Sequence, residues 1–148
     1  DLHYPLRRQR QMCIRDSKWT EGFAAADWDK VASTYADDVI GSDPTGSTYE
    51  GKEANLENDK GWRSTFSNFN FDFKTFHTSG NTTAVEFEIT ATMTGEMQMP
   101  DGSKIPATNK TYTMSACGVM ESENNLIKNN RIYMDMVSMM TGFGIMPS

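Results

Sequence analysis

Cysteine, histidine and long apolar runs are all scarce in this chain of 148 residues, and each scarcity removes a class of function. The two cysteines are Cys13 and Cys117, the two histidines His3 and His77. One histidine beside one distant cysteine supplies no recognisable ligand spacing, so no metal site is expected. So sparse a thiol content also argues against a disulfide framework and fits a reducing, cytoplasmic compartment. No apolar stretch approaches the ~20 residues that span a bilayer, so no membrane partner is expected. Positive charge is short as well, with 14 Lys and Arg against 20 Asp and Glu and a formal charge of −6. An acidic surface repels a phosphate backbone, which argues against nucleic acid as a partner.

What basic character there is sits at the start. Arg7 to Ser17 reads RRQRQMCIRDS, and its back-translation looks like a transposase-type sequencing adapter read in frame. Residues 1–17 therefore read as a sequencing artefact and not as native chain. They carry four arginines and two aspartates, so the remainder has a formal charge of −8. Cys13 leaves with them, and Cys117 then has no partner for an intramolecular disulfide. Residues 18–148 are read as one domain, a length that supports a single core.

Helical spacing comes first within that domain. Trp19, Phe23 and Ala26 fall one turn apart, and Trp28, Val31, Ala32 and Tyr35 repeat the pattern, which predicts two short helices with Asp27 as the cap between them. A third helix is expected from about Lys52 to Phe66, with Trp62 and Phe66 on its buried side. The period then changes to two. Phe69, Phe71 and Phe73 alternate with polar residues, as do Val85, Phe87, Ile89, Ala91 and Met93, and strands are also expected over Thr111 to Glu121 and Leu126 to Asp135. Helices followed by strands indicate an α+β fold with antiparallel pairing.

Three segments carry a family resemblance. Ala26-Asp27-Trp28-Asp29, Tyr35-Ala36-Asp37-Asp38-Val39, Asp43-Pro44 and Gly51-Lys52-Glu53-Ala54 form the first. Thr92-Met93-Thr94-Gly95 with Pro106-Ala107-Thr108-Asn109-Lys110 form the second, and Arg131-Ile132-Tyr133-Met134-Asp135 with Gly142-Phe143-Gly144 the third. In this order and spacing they resemble the SnoaL-like polyketide cyclases and their relatives, the ketosteroid isomerases and limonene epoxide hydrolases, from Trp19 to Pro147. That resemblance implies the cone-shaped nuclear transport factor 2-like fold, a curved and mostly antiparallel sheet covered by three N-terminal helices, with a small-molecule pocket between them. It also implies a homodimer, for which the face bearing Thr90, Thr92, Thr113 and Ser115 is the candidate surface.

The same resemblance nominates site residues. Asp43 matches the isomerase proton shuttle and Asp135 the cyclase acid/base, while Trp19, Tyr35, Phe87, Met93, Met114, Ala116, Arg131 and Tyr133 would contact substrate. Both aspartates have a bland reading beside the catalytic one. An Asp before Pro at a turn commonly caps backbone N–H groups. Alternation along the last strand, where Ile132 and Met134 are the apolar positions, would put Arg131 and Asp135 on the surface instead, where an ion pair contributes ~0 to 1 kcal/mol. The isomerase oxyanion positions fall on Trp19, with one N–H, and Ala116, with no donor, which weakens full isomerase chemistry. His77 follows a Phe-rich strand near a turn and reads as solvated, and the methionines as adaptable packing. The function expected is a cofactor-independent isomerase, cyclase or lyase acting on a small hydrophobic carbonyl compound, with a non-catalytic ligand-binding domain of the same fold as the alternative.

Overall fold

The computed structural model describes residue 15 and residues 17–99 and 101–146. Residues 1–14, 16, 100, 147 and 148 lie outside the described residues, and with them most of the adapter-like segment. Residues 17–25 are helical (α1) and are followed by α2, Trp28–Ala32. Asp27 caps α2 as its sequence position predicts, its carboxylate accepting from Lys30 N–H at 3.1 Å.

The second helix stops three residues before Tyr35, which instead opens strand β1, Tyr35–Ser42. The helical spacing that links Tyr35 to Trp28 is overridden because Tyr35 pairs with Ile127 of the last long strand. A short β2, Thr48–Glu50, and α3, Lys52–Thr65, come next. Then follow β3 (Phe66–Ser79), β4 (Thr82–Met93), the small hairpin β5 (Met97–Gln98) and β6 (Lys104–Ile105), β7 (Thr111–Glu123), β8 (Leu126–Met134) and a terminal helix α4, Met136–Gly142. The main sheet runs β2-β1-β8-β7-β4-β3. Its pairing is antiparallel except between β1 and β8, which run parallel. Register shifts in β1 and at two places in β3 add the local bends that curve a sheet.

The concave face is apolar because the alternation demands it. Val85, Phe87, Ile89, Ala91 and Met93 are all buried along β4, opposite Met114, Ala116 and Met120 of β7. Packing against this face are α1, α3 and the unexpected α4, whose Met139 and following residue Phe143 are almost wholly buried. The Phe143 ring lies tilted against that of Phe66 with centroids 4.7 Å apart, so α4 and the residue after it help to close the core that the N-terminal helices were expected to cover alone.

The last strand resolves the two readings of its face. Cross-strand partners share a face, and β7 opposes Gly118 to Ile132 and Ala116 to Met134, but Cys117 to Tyr133 and Val119 to Arg131. Ile132 and Met134 thus turn inward with the apolar residues of β7. Arg131 and Tyr133 turn outward, which corrects the inward assignment drawn from family resemblance. Among the described residues no helix is long and apolar enough to cross a membrane.

Candidate active site

A cavity of about 100 Å³ lies between α1, α3 and the concave sheet. Trp19 and Phe23 of α1, Trp62 of α3, Phe66, Phe69 and Phe71 of β3, and Phe87 of β4 give it an aromatic wall, beside which Ile89 of β4 also lines it. Met114, Ile132, Met134 and Met139 continue the apolar surface, and polar groups gather where β1 meets α3: Asp43, Tyr49, Asn55, Asn58 and Asp59. Asn130 on β8 adds one more amide. A smaller cavity of about 40 Å³ shares Trp19, Phe71, Phe87, Asn130 and Ile132 with the first and extends toward Gly118.

Asp59 is the group that the sequence reading overlooked. It is 8 % exposed on the inner side of α3. Tyr35 Oη donates to Asp59 Oδ2 at 2.7 Å, and Trp19 Nε1–H donates to Tyr35 Oη at 2.8 Å. Three residues from three elements therefore form one hydrogen-bonded chain ending on a carboxyl. Burial disfavours the carboxylate and pushes Asp59 up to about 7, with the Tyr35 hydrogen bond opposing the shift. Burial and the neighbouring Asp59 charge hold the Tyr35 phenol well above its ordinary range, so it remains a donor. The other Asp59 oxygen has no hydrogen-bond partner among the described residues.

A signal for Asp59 was present in the sequence. Carrying the spacing of Phe66 and Trp62 back along α3 reaches Asp59 and then Asn55, two polar residues on the buried stripe of a helix. Asn55 has a structural role: its amide donates to the carbonyls of Gly51 at 2.8 Å and Tyr49 at 3.0 Å, tying α3 to β2. Gly41 gives it room, since a Cβ there would stand 1.9 Å from Asn55 Oδ1.

Asp43 lines the cavity but is heavily engaged. Its Oδ1 accepts from Thr45 N–H at 2.9 Å and from the Thr45 hydroxyl, and its Oδ2 from Tyr49 Oη at 2.8 Å. This is the turn-capping arrangement that Asp before Pro commonly makes. Asp135 lies elsewhere, exposed at the N-cap of α4, where Ser138 donates to it from N–H at 3.0 Å and from its hydroxyl at 2.6 Å. Those bonds lower its pKa. The geometry removes Asp135 from the cavity because the chain leaves the sheet there to begin a helix.

Of the expected contact residues, Trp19, Tyr35, Phe87 and Met114 line the main cavity. Met93 and Ala116 are buried in the core without lining it, and Arg131 is held on the outer face by Asn129 and Glu121. Tyr133 is 56 % exposed. The Trp19 N–H, weighed above as an oxyanion donor, is occupied by Tyr35. In contrast, the side-chain amides of Asn58 and Asn130 have no hydrogen-bond partner among the described residues. Among the same residues no cluster of His, Cys, Asp and Glu is arranged to hold a metal ion.

Comparison with known proteins gives a consistent picture. The family profile described as the SnoaL-like domain matches residues 17–130. A solved structure described as a SnoaL-like polyketide cyclase from Jannaschia sp. CCS1 superposes with a TM-score of 0.80 at 13% identity, over 93% of this chain and 94% of that one. An epoxide hydrolase of the limonene type from M. tuberculosis gives 0.69 at 15% identity, over 92% and 91%. A ketosteroid isomerase-like fold from Catenulispora acidiphila, solved with trimethylamine, gives 0.73 at 13% identity, over 88% and 92%. At such identities the likeness speaks to fold. A search of the curated proteins finds no match.

Proposed function

The chain belongs to the SnoaL-like domain family, and from that premise we propose that its cavity is the active site of a cofactor-independent isomerase, cyclase or lyase in which Asp59 is the acid/base. One observation carries this reading: a buried carboxyl, raised to about 7 and with one oxygen open, shares the cavity wall with apolar rings. A proton-transfer group works best when its pKa lies near the operating pH. The substrate would be a small hydrophobic carbonyl compound. Asp59 carboxylate takes a proton from the carbon next to the carbonyl, and the resulting carboxylic acid returns it to the same or another carbon.

Charge that develops on the carbonyl oxygen needs hydrogen-bond donors. The open amides of Asn58 and Asn130 are the candidates, in place of the residues named by resemblance. Tyr35 holds Asp59 by one oxygen and leaves the other to act. Asp43, held on both oxygens by Thr45 and Tyr49, shapes the polar end of the cavity. A cavity of about 100 Å³ is of the same order as the ~150 Å³ apolar cavity known to take benzene, which points to a ligand built on about one ring.

The test needs no knowledge of the natural substrate. Cyclohex-2-enone incubated with the protein in D₂O should exchange its acidic C–H for deuterium, followed by proton NMR, at a rate that rises with pH through about 7 as the Asp59 carboxylate forms. Asp59→Asn should lower that rate by ~10²-fold or more, the usual contribution of a positioned base. Exchange that persists in the variant would remove Asp59 from the mechanism. The second reading, binding without turnover, is favoured by the mainly apolar lining. It predicts saturable quenching of tryptophan fluorescence by cyclohexenone with no deuterium incorporated.

A further inference from the structure

We propose that the same cavity binds small protonated amines, pairing the ammonium with the Asp59 carboxylate and holding the hydrocarbon part among the rings of Trp19, Phe69, Phe71 and Phe87. This rests, as the proton-transfer reading does, on Asp59 being the open carboxyl of the cavity, and it adds a cationic ligand class to the neutral carbonyl compounds. The charge of the lining is the starting point. It includes Asp43 and Asp59, and no Lys, Arg or His side chain among the described residues lines it. An anionic ligand would meet two carboxyl groups with no cationic side chain in the described lining to offset them, and a cation would meet no like charge in that lining.

The groups around Asp59 support the same sign. Tyr35 faces it as a neutral donor, and Trp19 reaches it only through Tyr35. Lys60, next along α3, is exposed and paired with Glu57 at 2.6 Å. Arg63, one turn further, is directed to the carbonyls of Phe66 and Ala24 at 3.3 and 3.4 Å. Neither lines the cavity, and Tyr49 and Asp43 bond to each other. Among the described residues no Lys, Arg or His side chain is bonded to Asp59, and its only side-chain hydrogen bond comes from Tyr35. The surrounding rings contribute a second attraction, since an alkylammonium is drawn to the electron-rich face of an aromatic ring, more strongly where water is excluded.

Proton linkage supplies the signature. Below about pH 7 the carboxyl holds its proton, so an amine that arrives charged must expel it in order to form an ion pair. An uncharged ligand of the same shape need not.

Calorimetric titration of the full chain with N,N-dimethylbenzylamine, in two buffers of different ionisation enthalpy, measures this directly. Isobutylbenzene serves as the neutral shape mate and phenylacetate as the anion. Release of about one proton per amine bound is expected at pH 6, falling toward zero at pH 8, with none for isobutylbenzene. At pH 8 the amine should bind ~tenfold more tightly than isobutylbenzene, and phenylacetate most weakly. Asp59→Asn should remove the amine's advantage and its proton release while keeping isobutylbenzene within about twofold. An amine that binds no better than the hydrocarbon, or equally well to the variant, or without proton release at pH 6, overturns the proposal. If that happens while deuterium exchange still depends on Asp59, only the amine inference falls. If neither amine nor hydrocarbon binds and no Asp59-dependent deuterium exchange is seen, both readings of the cavity fall together.

Discussion

Asp59 shows how one side chain acquires a property that its type does not give it. In the unfolded chain its carboxyl titrates near 3.8, and in the fold near 7. Between those values the native state holds a proton that the unfolded state has lost. Stability therefore falls as pH rises across that window, by up to about 1.4 kcal/mol per pH unit and roughly 4 kcal/mol in all. That contribution is fully present below pH 3.8 and gone above about 7. Asp59→Asn keeps an acceptor for the Tyr35 hydroxyl without the ionisation. Urea denaturation at pH 8 should find the variant more stable than the natural chain, with the two converging toward pH 4. A variant less stable at pH 8 would mean that the carboxylate is not disfavoured in the fold. Functional sites commonly hold a group that costs stability at working pH, and Asp59 fits that pattern.

At the scale of elements, placement of the site depends on how strands register and where they stop. The β7–β8 register puts Ile132 and Met134 inside and Arg131 and Tyr133 outside, a choice made by burial of apolar surface. Immediately afterwards, Asp135 caps α4 and anchors Ser138. Asp135→Ala should loosen that helix, seen as a lower melting temperature, while tryptophan quenching by cyclohexenone and the rate of deuterium exchange remain unchanged. Loss of exchange in that variant would restore Asp135 to the chemistry. Helix α4 was itself legible: Met136, Met139, Met140 and Phe143 fall at helical spacing. Gly142 and Gly144, which flank Phe143, match the family ending and mask that periodicity. On α3, Asn55 and Asp59 were overlooked because amphipathic reading assigns polar residues to solvent.

The molecule as a whole presents an outer sheet face of small hydroxyl side chains opposite the cavity. Thr90 pairs with Thr113 and Thr92 with Thr111, each at 2.8 Å. Short side chains held in rungs lose little conformational freedom on contact, so this face suits association between two copies of the chain. Sedimentation velocity at micromolar concentration should find a dimer, and Thr113→Lys should shift it to monomer. A monomer in the natural chain would remove that expectation. The alternation of β4 and the order of the three motifs specified the α+β class and the curved sheet from sequence, since periodicity of two or of 3.6 is a local property that one strand or helix carries alone. The aromatic wall was legible for the same reason, through Trp19, Phe69, Phe71 and Phe87. Which carboxyl meets that wall was settled only by tertiary structure. Tyr35 had to leave a helical pattern for a strand before its hydroxyl could bridge Trp19 to Asp59, and the shift of Asp59 to about 7 arises from burial that no residue confers on itself.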